Sequence, residues 1–316
     1  MEKQLAKKGK LKSGMKVGQR RDTFEFLLLT APHLILTFIF SYLPMVGIIL
    51  AFKSFNPNLG IFKSPWCGFN NFKFFFESSS FSILMRNTIL YGIDFLVVNN
   101  VFAVMIAVLL YNVRNRAALK YYQTTMILPN FMSIVLIAFI VYAILNPASG
   151  ILNKVLALFG SEGVDVYSEP LYWPFILNIV EVWKSVGMKS IIYYAGLVGI
   201  DEALFEAARI DGAKKWHEVR YIMIPEIMGL VCIYLILGIG GLMGGDFGLF
   251  YQIPMDIGLL YPTTDIISTY VFRALQKSSN LGATTAIGLF QSLAGLILLL
   301  LSTTVIRKVP PEKSFF

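Results

Sequence analysis

The charged residues in the middle of this chain are concentrated in one stretch, EALFEAARIDGAKKWHEVRYIMIPEI, which runs from Glu202 to Ile227 between two apolar regions. Asp201 can cap a short helix that begins there, and Gly212 can take the left-handed conformation that ends one. A second helix can begin near Ala213. Small and charged side chains of this kind form contacts and ion pairs with another surface. The stretch therefore predicts two short helices, bent at Asp211-Gly212, that dock onto a partner.

The sequence contains few residues of the kinds that perform catalysis or bind metals. There are two histidines, His33 and His217, two cysteines, Cys67 and Cys232, and no CxxC, HExxH or GxxxxGK[ST] motif. Without the last of these there is no phosphate-binding loop for ATP. The sequence predicts no catalytic residue and no metal site, and the two cysteines are not expected to pair because one lies in a loop and the other in an apolar run.

Composition shows which elements must position the charged stretch. Of the 316 residues, 56% are hydrophobic and only 15% are charged, against about 25% charged in typical soluble domains. The apolar residues form runs of roughly 20, the length of a helix that crosses a bilayer. We expect an all-α polytopic membrane protein with a single transmembrane domain over residues 23–316 and six spans: Phe24–Phe52, Asn87–Tyr111, Thr124–Leu145, Leu171–Ile200, Ile222–Gly245 and Ala283–Ile306.

Lysine and arginine in the loops predict the orientation, because cytoplasmic loops hold the positive excess. Eighteen of these residues lie in the tails and in the loops after spans two and four, and seven lie in the alternate loops. Both termini and the loop at 201–221 are therefore expected in the cytoplasm. The basic tail, residues 1–22, is expected to lie against anionic lipid headgroups, so the net charge of +8 does not indicate a nucleic-acid partner.

Three other segments carry expectations. A small amphipathic helix is predicted at Ile151–Phe159. The segment from Asp246 to Gly282 is long for a loop and is expected to be functional or partly structured, with or without a re-entrant helix. The glycines from Gly238 to Gly245 favour close helix packing over a hinge.

The charged stretch resembles a family motif. Its glutamate, alanines, glycine and closing apolar and proline residues match the pattern EAA-x3-G-x9-I-x-L-P of the membrane subunits of binding-protein-dependent ABC importers, with isoleucine in place of the leucine. The matching positions are Glu206, Ala207, Ala208, Gly212, Ile222, Ile224 and Pro225. The segments Glu181–Ala213, Thr263–Gln276 and Ala283–Leu300 look like the carbohydrate-uptake branch, specifically permeases for oligosaccharides released from polysaccharides.

The resemblance implies a type I ABC importer permease in a bacterial cell membrane, with no cofactor of its own. ATP and Mg²⁺ would be held by two partner ATPase subunits. The other expected partners are a second, different permease subunit, an extracellular substrate-binding protein and the bilayer. The motif loop would be the coupling helix seated on the ATPase. The residues expected to carry coupling are Glu206, Ala207, Ala208, Asp211, Gly212, Ala213 and Pro225.

Polar residues inside spans are costly in lipid and by default suggest function. Sugar sites combine aromatic faces with hydrogen-bonding groups, so the candidates for the substrate path are Asn99, Asn100, Trp183, Tyr193 and Tyr194. The alternative for these residues is that they only join helices. Two further functions also stay open: a permease for another solute, such as an amino acid or phosphate, and a stand-alone secondary transporter. A purely structural membrane protein would tolerate substitutions in the motif loop.

Overall fold

The computed structural model describes residues 25–277 and 280–306, and the predicted basic tail at 1–22 lies outside them. The described residues fold as helices joined by short turns. We number these helices in chain order: α1 Glu25–Phe52, α2 Gly60–Lys63, α3 Asn70–Phe76, α4 Phe81–Tyr111, α5 Arg116–Ile127, α6 Ile134–Leu145, α7 Ile151–Leu158, α8 Trp173–Val198, α9 Glu202–Ile210, α10 Lys215–Glu218, α11 Ile224–Gly241, α12 Phe247–Gln252, α13 Tyr261–Thr264, α14 Ile267–Lys277 and α15 Leu281–Ile306. The amphipathic helix expected at Ile151–Phe159 is confirmed as α7.

Among the described residues, four helical segments are long and apolar enough to cross a membrane: α1, α4, α15 and the continuous helix Lys215–Gly241. A fifth is added if the pair Arg116–Phe131 and Ile134–Leu145 is one span, although its halves meet at 99°. The third predicted span, Thr124–Leu145, is interrupted in the structure. A 3₁₀ turn that contains Pro129 ends the first half, and the Ser133 side chain caps the second by accepting from Leu136 N–H.

The fourth predicted span corresponds to α8, a 26-residue helix. It carries Glu181, Lys184 and Lys189 near its middle, so its composition is less apolar than that of the other long helices. The structure thus supports four or five spans by length and composition, not the six predicted. α8 nonetheless lies at the centre of the fold, where its buried residues include Trp173 and Tyr193.

Three clusters of buried side chains hold the helices together. One surrounds Trp173 at the start of α8 and joins it to α6 and α12. A second surrounds Tyr193 at the other end of α8 and joins it to α4, α9 and α11. The third joins α3, α4, α14 and α15 around Phe75 and Ile287. The two ends of α8 are therefore packed in different clusters, and the charged turn after α8 belongs to the second.

α1 differs from the other long helices because little of it is covered. Its apolar window is only 6% buried within the chain. The helix includes a π-helical segment at Phe38–Tyr42 and a 3₁₀ segment at Leu43–Phe52, and the second of these packs against α15. The first half of α1 therefore presents apolar side chains outward.

Polar contacts within residues 246–277 hold this part of the predicted long loop together. Arg273 lies over the ring of Tyr261, with its guanidinium carbon 4.0 Å from the ring centroid, and donates to the carboxylates of Asp256 and Asp265. Burial raises the pKa of the Asp265 carboxyl, and hydrogen bonds from Arg273 and Thr269 act in the opposite direction. These contacts join α13 and α14 to the turn that follows α12.

The glycine-rich end of the fifth predicted span is used for packing. α11 ends at Gly241, before Gly245. A β-carbon at Gly238 would lie 2.2 Å from a Leu96 methyl, and one at Gly240 would lie 3.1 Å from a Leu299 methyl. Gly245 takes a positive φ of 59° in the turn before α12. Close approach to α4 and α15 accounts for the first two glycines, as expected from the sequence.

Candidate functional site

The turn between α9 and α10 has the two-helix geometry predicted from the sequence. Asp201 caps α9 by accepting a hydrogen bond from Ala203 N–H at 3.0 Å. Gly212 ends it at φ +82°. The N–H groups of Gly212 and Ala213 donate back to the carbonyls of Arg209 and Ala208, at 3.1 and 2.9 Å. This pair of bonds is a Schellman motif, which requires the left-handed residue at Gly212.

The outer face of this turn is open to another molecule. Glu206, Ala207, Asp211 and Gly212 are exposed, and Ala208 and Ala213 are half-buried. Within residues 25–277 and 280–306, no hydrogen bond or ion pair engages the Glu206 carboxylate. Large apolar side chains lie exposed on the same two helices and the following turn: Leu204, Ile210, Trp216 and Tyr221. We call these residues and Glu206 the docking face. The sequence alone does not indicate which apolar residues of a charged stretch are exposed.

The turn is anchored to the long helices through Phe205. This side chain is 1% exposed and stacks on Tyr111, the last residue of α4, with the ring centroids 5.7 Å apart. It belongs to the same buried cluster as Leu197 of α8 and Met223 of the π turn. A displacement of α9 would therefore be transmitted directly to α4 and α8.

An ion-pair cluster joins α9 to α10. The Glu218 carboxylate accepts hydrogen bonds from Arg209 Nε and Lys215 Nζ, both at 2.9 Å. Glu218 is only 2% exposed, whereas the two cations are 48% and 66% exposed. The hydrogen bond and the negative charge of Glu218 raise the pKa of the Arg209 guanidinium. This cluster fixes the angle between the two short helices.

Replacing Glu218 with alanine is expected to lower ATPase stimulation in the assembled complex by several-fold while leaving the melting temperature nearly unchanged. The stability effect is small because the substitution removes the buried carboxylate itself and leaves two cations, 48% and 66% exposed, that water can solvate. No unpaired charge is left buried. A matched control is Glu77→Ala, which removes the surface pair of Glu77 and Lys73 at 3.6 Å, away from the turn. Equal stimulation by the two variants would show that the cluster does not position α9.

Pro225 lies in the first turn of α11, as predicted, but it does not begin a helix. A π-helical turn at Val219–Met223 connects α10 directly to α11. Such a turn relieves the clash that a proline ring causes in a continuous helix. α10, the π turn and α11 thus form one continuous helix, Lys215–Gly241.

The polar candidates inside the helices contact one another across α4 and α8. Asn99 donates to the Glu181 carboxylate at 3.1 Å, and Ser185 Oγ donates to the same carboxylate oxygen at 2.8 Å. Tyr193 donates its hydroxyl to the Asn100 side chain at 2.5 Å. The Tyr193 ring is fully buried and packs edge-on against Tyr234. In this conformation, three of the candidates, Asn99, Asn100 and Tyr193, join helices.

The other two candidates are more accessible. Trp183 is 45% exposed and lines an apolar cavity of about 280 Å³ between α6 and α8. Tyr194 is half-buried and packs against the cluster that anchors the docking turn. Next to Trp183, Lys184 forms an ion pair with Asp246 at 3.0 Å and so joins α8 to the start of α12. The two partners lie 62 positions apart in the chain, so no local sequence signal identifies this pair.

Metal ligands are not clustered. In the part of the chain that the structure describes, no group of three or more histidine, cysteine, aspartate or glutamate side chains could hold a metal ion. Cys67 and Cys232 are both free thiols, as predicted.

Comparisons with known proteins agree on one class. Residues 99–309 match the family described as binding-protein-dependent transport system inner membrane component. The chain is 31% identical over 296 residues to Protein LplB of Bacillus subtilis, with 94% of this chain and 92% of that one covered. It is 32% identical to the polygalacturonan/rhamnogalacturonan transport system permease protein YteP of the same organism, with 90% and 88% covered.

Solved structures agree as well. A chain from the crystal structure of a bacterial ABC transporter involved in the import of the acidic polysaccharide alginate superposes with a TM-score of 0.83 at 29% identity, covering 92% of this chain and 97% of that one. A second structure of a bacterial alginate ABC transporter, in complex with an alginate pentasaccharide-bound periplasmic protein, gives the same TM-score at 28% identity and covers 92% and 96% of the two chains.

Proposed function

The chain belongs to the family of binding-protein-dependent transport system inner membrane components, and from this premise we propose that it forms the membrane path of an ATP-driven importer for oligosaccharides released from polysaccharides. It is a transport subunit and not an enzyme, so ATP hydrolysis belongs to separate chains. The observation that carries the proposal is the turn between α9 and α10, where the motif residues Glu206, Ala207 and Gly212 lie exposed. Phe205 anchors this turn in the helix core.

We infer six spans, with both termini and the docking turn in the cytoplasm. The four segments of membrane length and the bent pair leave α8 as the sixth. Two of its three charged residues have partners: Glu181 is bonded by Asn99 and Ser185, and Lys184 by Asp246. Charges inside a bilayer are tolerated when they pair or face the bundle interior. The excess of lysine and arginine near the docking turn supports the same orientation.

Coupling is proposed to run through Glu206 and Phe205. The Glu206 carboxylate would pair with a basic residue of an ATPase subunit, and Ala207 and Ala208 would allow close packing. Movement of α9 would pass through the buried Phe205 ring to α4 and α8, which also hold the pairs Asn99–Glu181 and Asn100–Tyr193. Re-pairing of these polar groups would open a path along α8. In that open state Asn99, Asn100, Trp183, Tyr193 and Tyr194 are the proposed substrate-path residues.

The substrate class follows from the relatives. YteP bears the name of a permease for polygalacturonan and rhamnogalacturonan, and the two solved structures concern alginate. We propose an oligosaccharide as the cargo, delivered by an extracellular binding protein, and a second, different permease chain as the membrane partner. The proposed location is a bacterial cell membrane.

Reconstitution tests the function. Vesicles that hold the chain with its second permease and two ATPase subunits are expected to take up oligosaccharide only with the loaded binding protein outside and ATP inside. Vesicles without the ATPase subunits are expected to show no uptake. Uptake that needs no ATPase would make the chain a stand-alone transporter, and stimulation by a binding protein loaded with an amino acid or phosphate would overturn the substrate class.

A further inference from the structure

A mixed aromatic and polar cavity lies between α6 on one side and α12 with the turn that follows it on the other, apart from the candidates on α4 and α8. Its volume is about 220 Å³. The residues that line it are Val135, Ala138, Phe139, Tyr142, Tyr251, Gln252, Met255 and Asp256. Drug-sized ligands occupy pockets of about 300 Å³ or more. A cavity of this size suits one sugar ring and not a chain of several.

The aromatic walls of the cavity are held in place from behind. The Tyr251 ring stacks on Phe247, with centroids 5.2 Å apart, and meets Phe272 edge-on at 5.0 Å. The Tyr142 ring packs against Tyr167 at 5.6 Å. Rings fixed in this way offer flat faces to a ligand without losing conformational entropy when it binds.

Hydrogen-bonding groups that could serve a ligand are concentrated here. Within residues 25–277 and 280–306, the Tyr142 and Tyr251 hydroxyls and the Gln252 amide make no hydrogen bond to the protein. Asp256 is held at its Oδ1 by Arg273 Nη1 and by the Tyr261 hydroxyl, both at 3.0 Å, and its Oδ2 accepts no bond from the described residues. Donors and acceptors that point to no protein partner suit a polyhydroxy ligand.

The backbone at the cavity is strained. Met255 and Asp256 are consecutive non-glycine residues with φ of 59° and 51°. Residues in this conformation cost about 1–3 kcal/mol each and persist where the surrounding structure holds them, often at ligand sites. Here the bonds to Asp256 hold the turn. No similar pair of positive-φ, non-glycine residues occurs elsewhere in the described chain.

The charge of the lining selects among sugars. It contains one carboxylate, that of Asp256, whose partner Arg273 is shared with Asp265, and no lysine, arginine or histidine. A uronic acid would bring a second carboxylate without a cation to meet it. From this geometry and charge we infer that the cavity binds one neutral sugar ring of the incoming oligosaccharide, before or beside the path along α8. The inference rests on the proposed function, because it assumes that sugars reach this side of the chain.

A labelling experiment on the assembled complex tests this site without measuring transport. Gln252→Cys is reacted with a maleimide in the presence of methyl galactoside, and the extent of labelling is read from the mass of the peptide that contains position 252. A sugar concentration of twice the dissociation constant is expected to slow labelling about 3-fold. Galacturonate, the matched acidic ring, is expected to leave the rate unchanged. Gln123→Cys on α5, outside the cavity, is the control and is expected to show no sugar dependence.

A second variant tests the contact itself. Tyr142→Phe, combined with Gln252→Cys, is expected to raise the methyl galactoside concentration needed for half-protection by about 3- to 10-fold, the effect of one lost hydrogen bond. Tyr172→Phe is the matched control. Equal slowing by galacturonate would overturn the preference for a neutral ring, and no slowing by either sugar would overturn the site. A cysteine at 252 that cannot be labelled would mean that another subunit covers the cavity, which also overturns it. Sugar-dependent transport without any protection would reject the cavity and leave the proposed function standing.

Discussion

Replacing Gly212 with proline is expected to abolish the stimulation of the partner ATPase by the loaded binding protein. Gly212 lies at φ +82°, and the proline ring fixes φ near −65°. Proline also removes the N–H that bonds to the Arg209 carbonyl at 3.1 Å. The two losses together cost about 3 kcal/mol or more, which corresponds to a reduction on the order of 100-fold in the population of the correct turn. The measurement is the ATPase rate of the reconstituted complex.

Graded substitutions at the same position separate conformation from contact. No atom lies within 4 Å of the place where a β-carbon would stand at Gly212, so only the backbone conformation limits the side chain. Asparagine tolerates the left-handed region, and Gly212→Asn is expected to retain most of the stimulation. Gly212→Val, a β-branched residue, is expected to fall between asparagine and proline. Valine and asparagine variants of equal activity would mean that the left-handed turn is not needed for coupling.

The shape of the docking turn could be predicted from residues that are close together in the sequence. An aspartate that can cap a helix and a glycine that can end one are both recognisable from the local sequence. In the structure Asp201 and Gly212 have these roles. The local sequence does not indicate which apolar residue anchors the turn to the long helices. Leu204 and Phe205 are adjacent apolar residues on one short helix, yet Phe205 is buried and Leu204 is 48% exposed. Only the position of Tyr111, on another helix, decides between them.

The partners of the polar residues inside the helices could not be predicted from the sequence either. Hydropathy indicates that Asn99 and Asn100 are unusual inside a span, but their partners Glu181 and Tyr193 lie 82 and 93 positions away in the chain. The bend of 99° after Phe131 was also not predicted. The apolar run continues through the bend, and only a proline and a capping serine interrupt the helix. The close contact that Gly187 makes with another helix likewise has no signal in the sequence around it.

Gly187→Ala is expected to lower the yield of folded complex sharply, with Gly187→Val worse. Gly187 lies in the middle of α8, where a β-carbon would stand 1.9 Å from the Met126 carbonyl oxygen at the end of α5. This is a backbone atom and cannot rotate away, so the two helices would have to separate. Overpacking of this kind typically costs about 1–3 kcal/mol and occasionally more. The measurement is the amount of monodisperse complex in detergent and its melting temperature.

The control for this prediction is another glycine inside a span. Gly288 in α15 has no atom within 4 Å of its β-carbon position, so Gly288→Ala adds helix propensity without a clash. It is expected to fold at least as well as the original chain. The comparison isolates close approach from the general effect of replacing glycine, since both positions are helical. Equal yields from the alanine variants at 187 and 288 would mean that α5 and α8 can move apart at no cost. The crossing of α8 with the broken third span would then be adjustable rather than fixed by small residues.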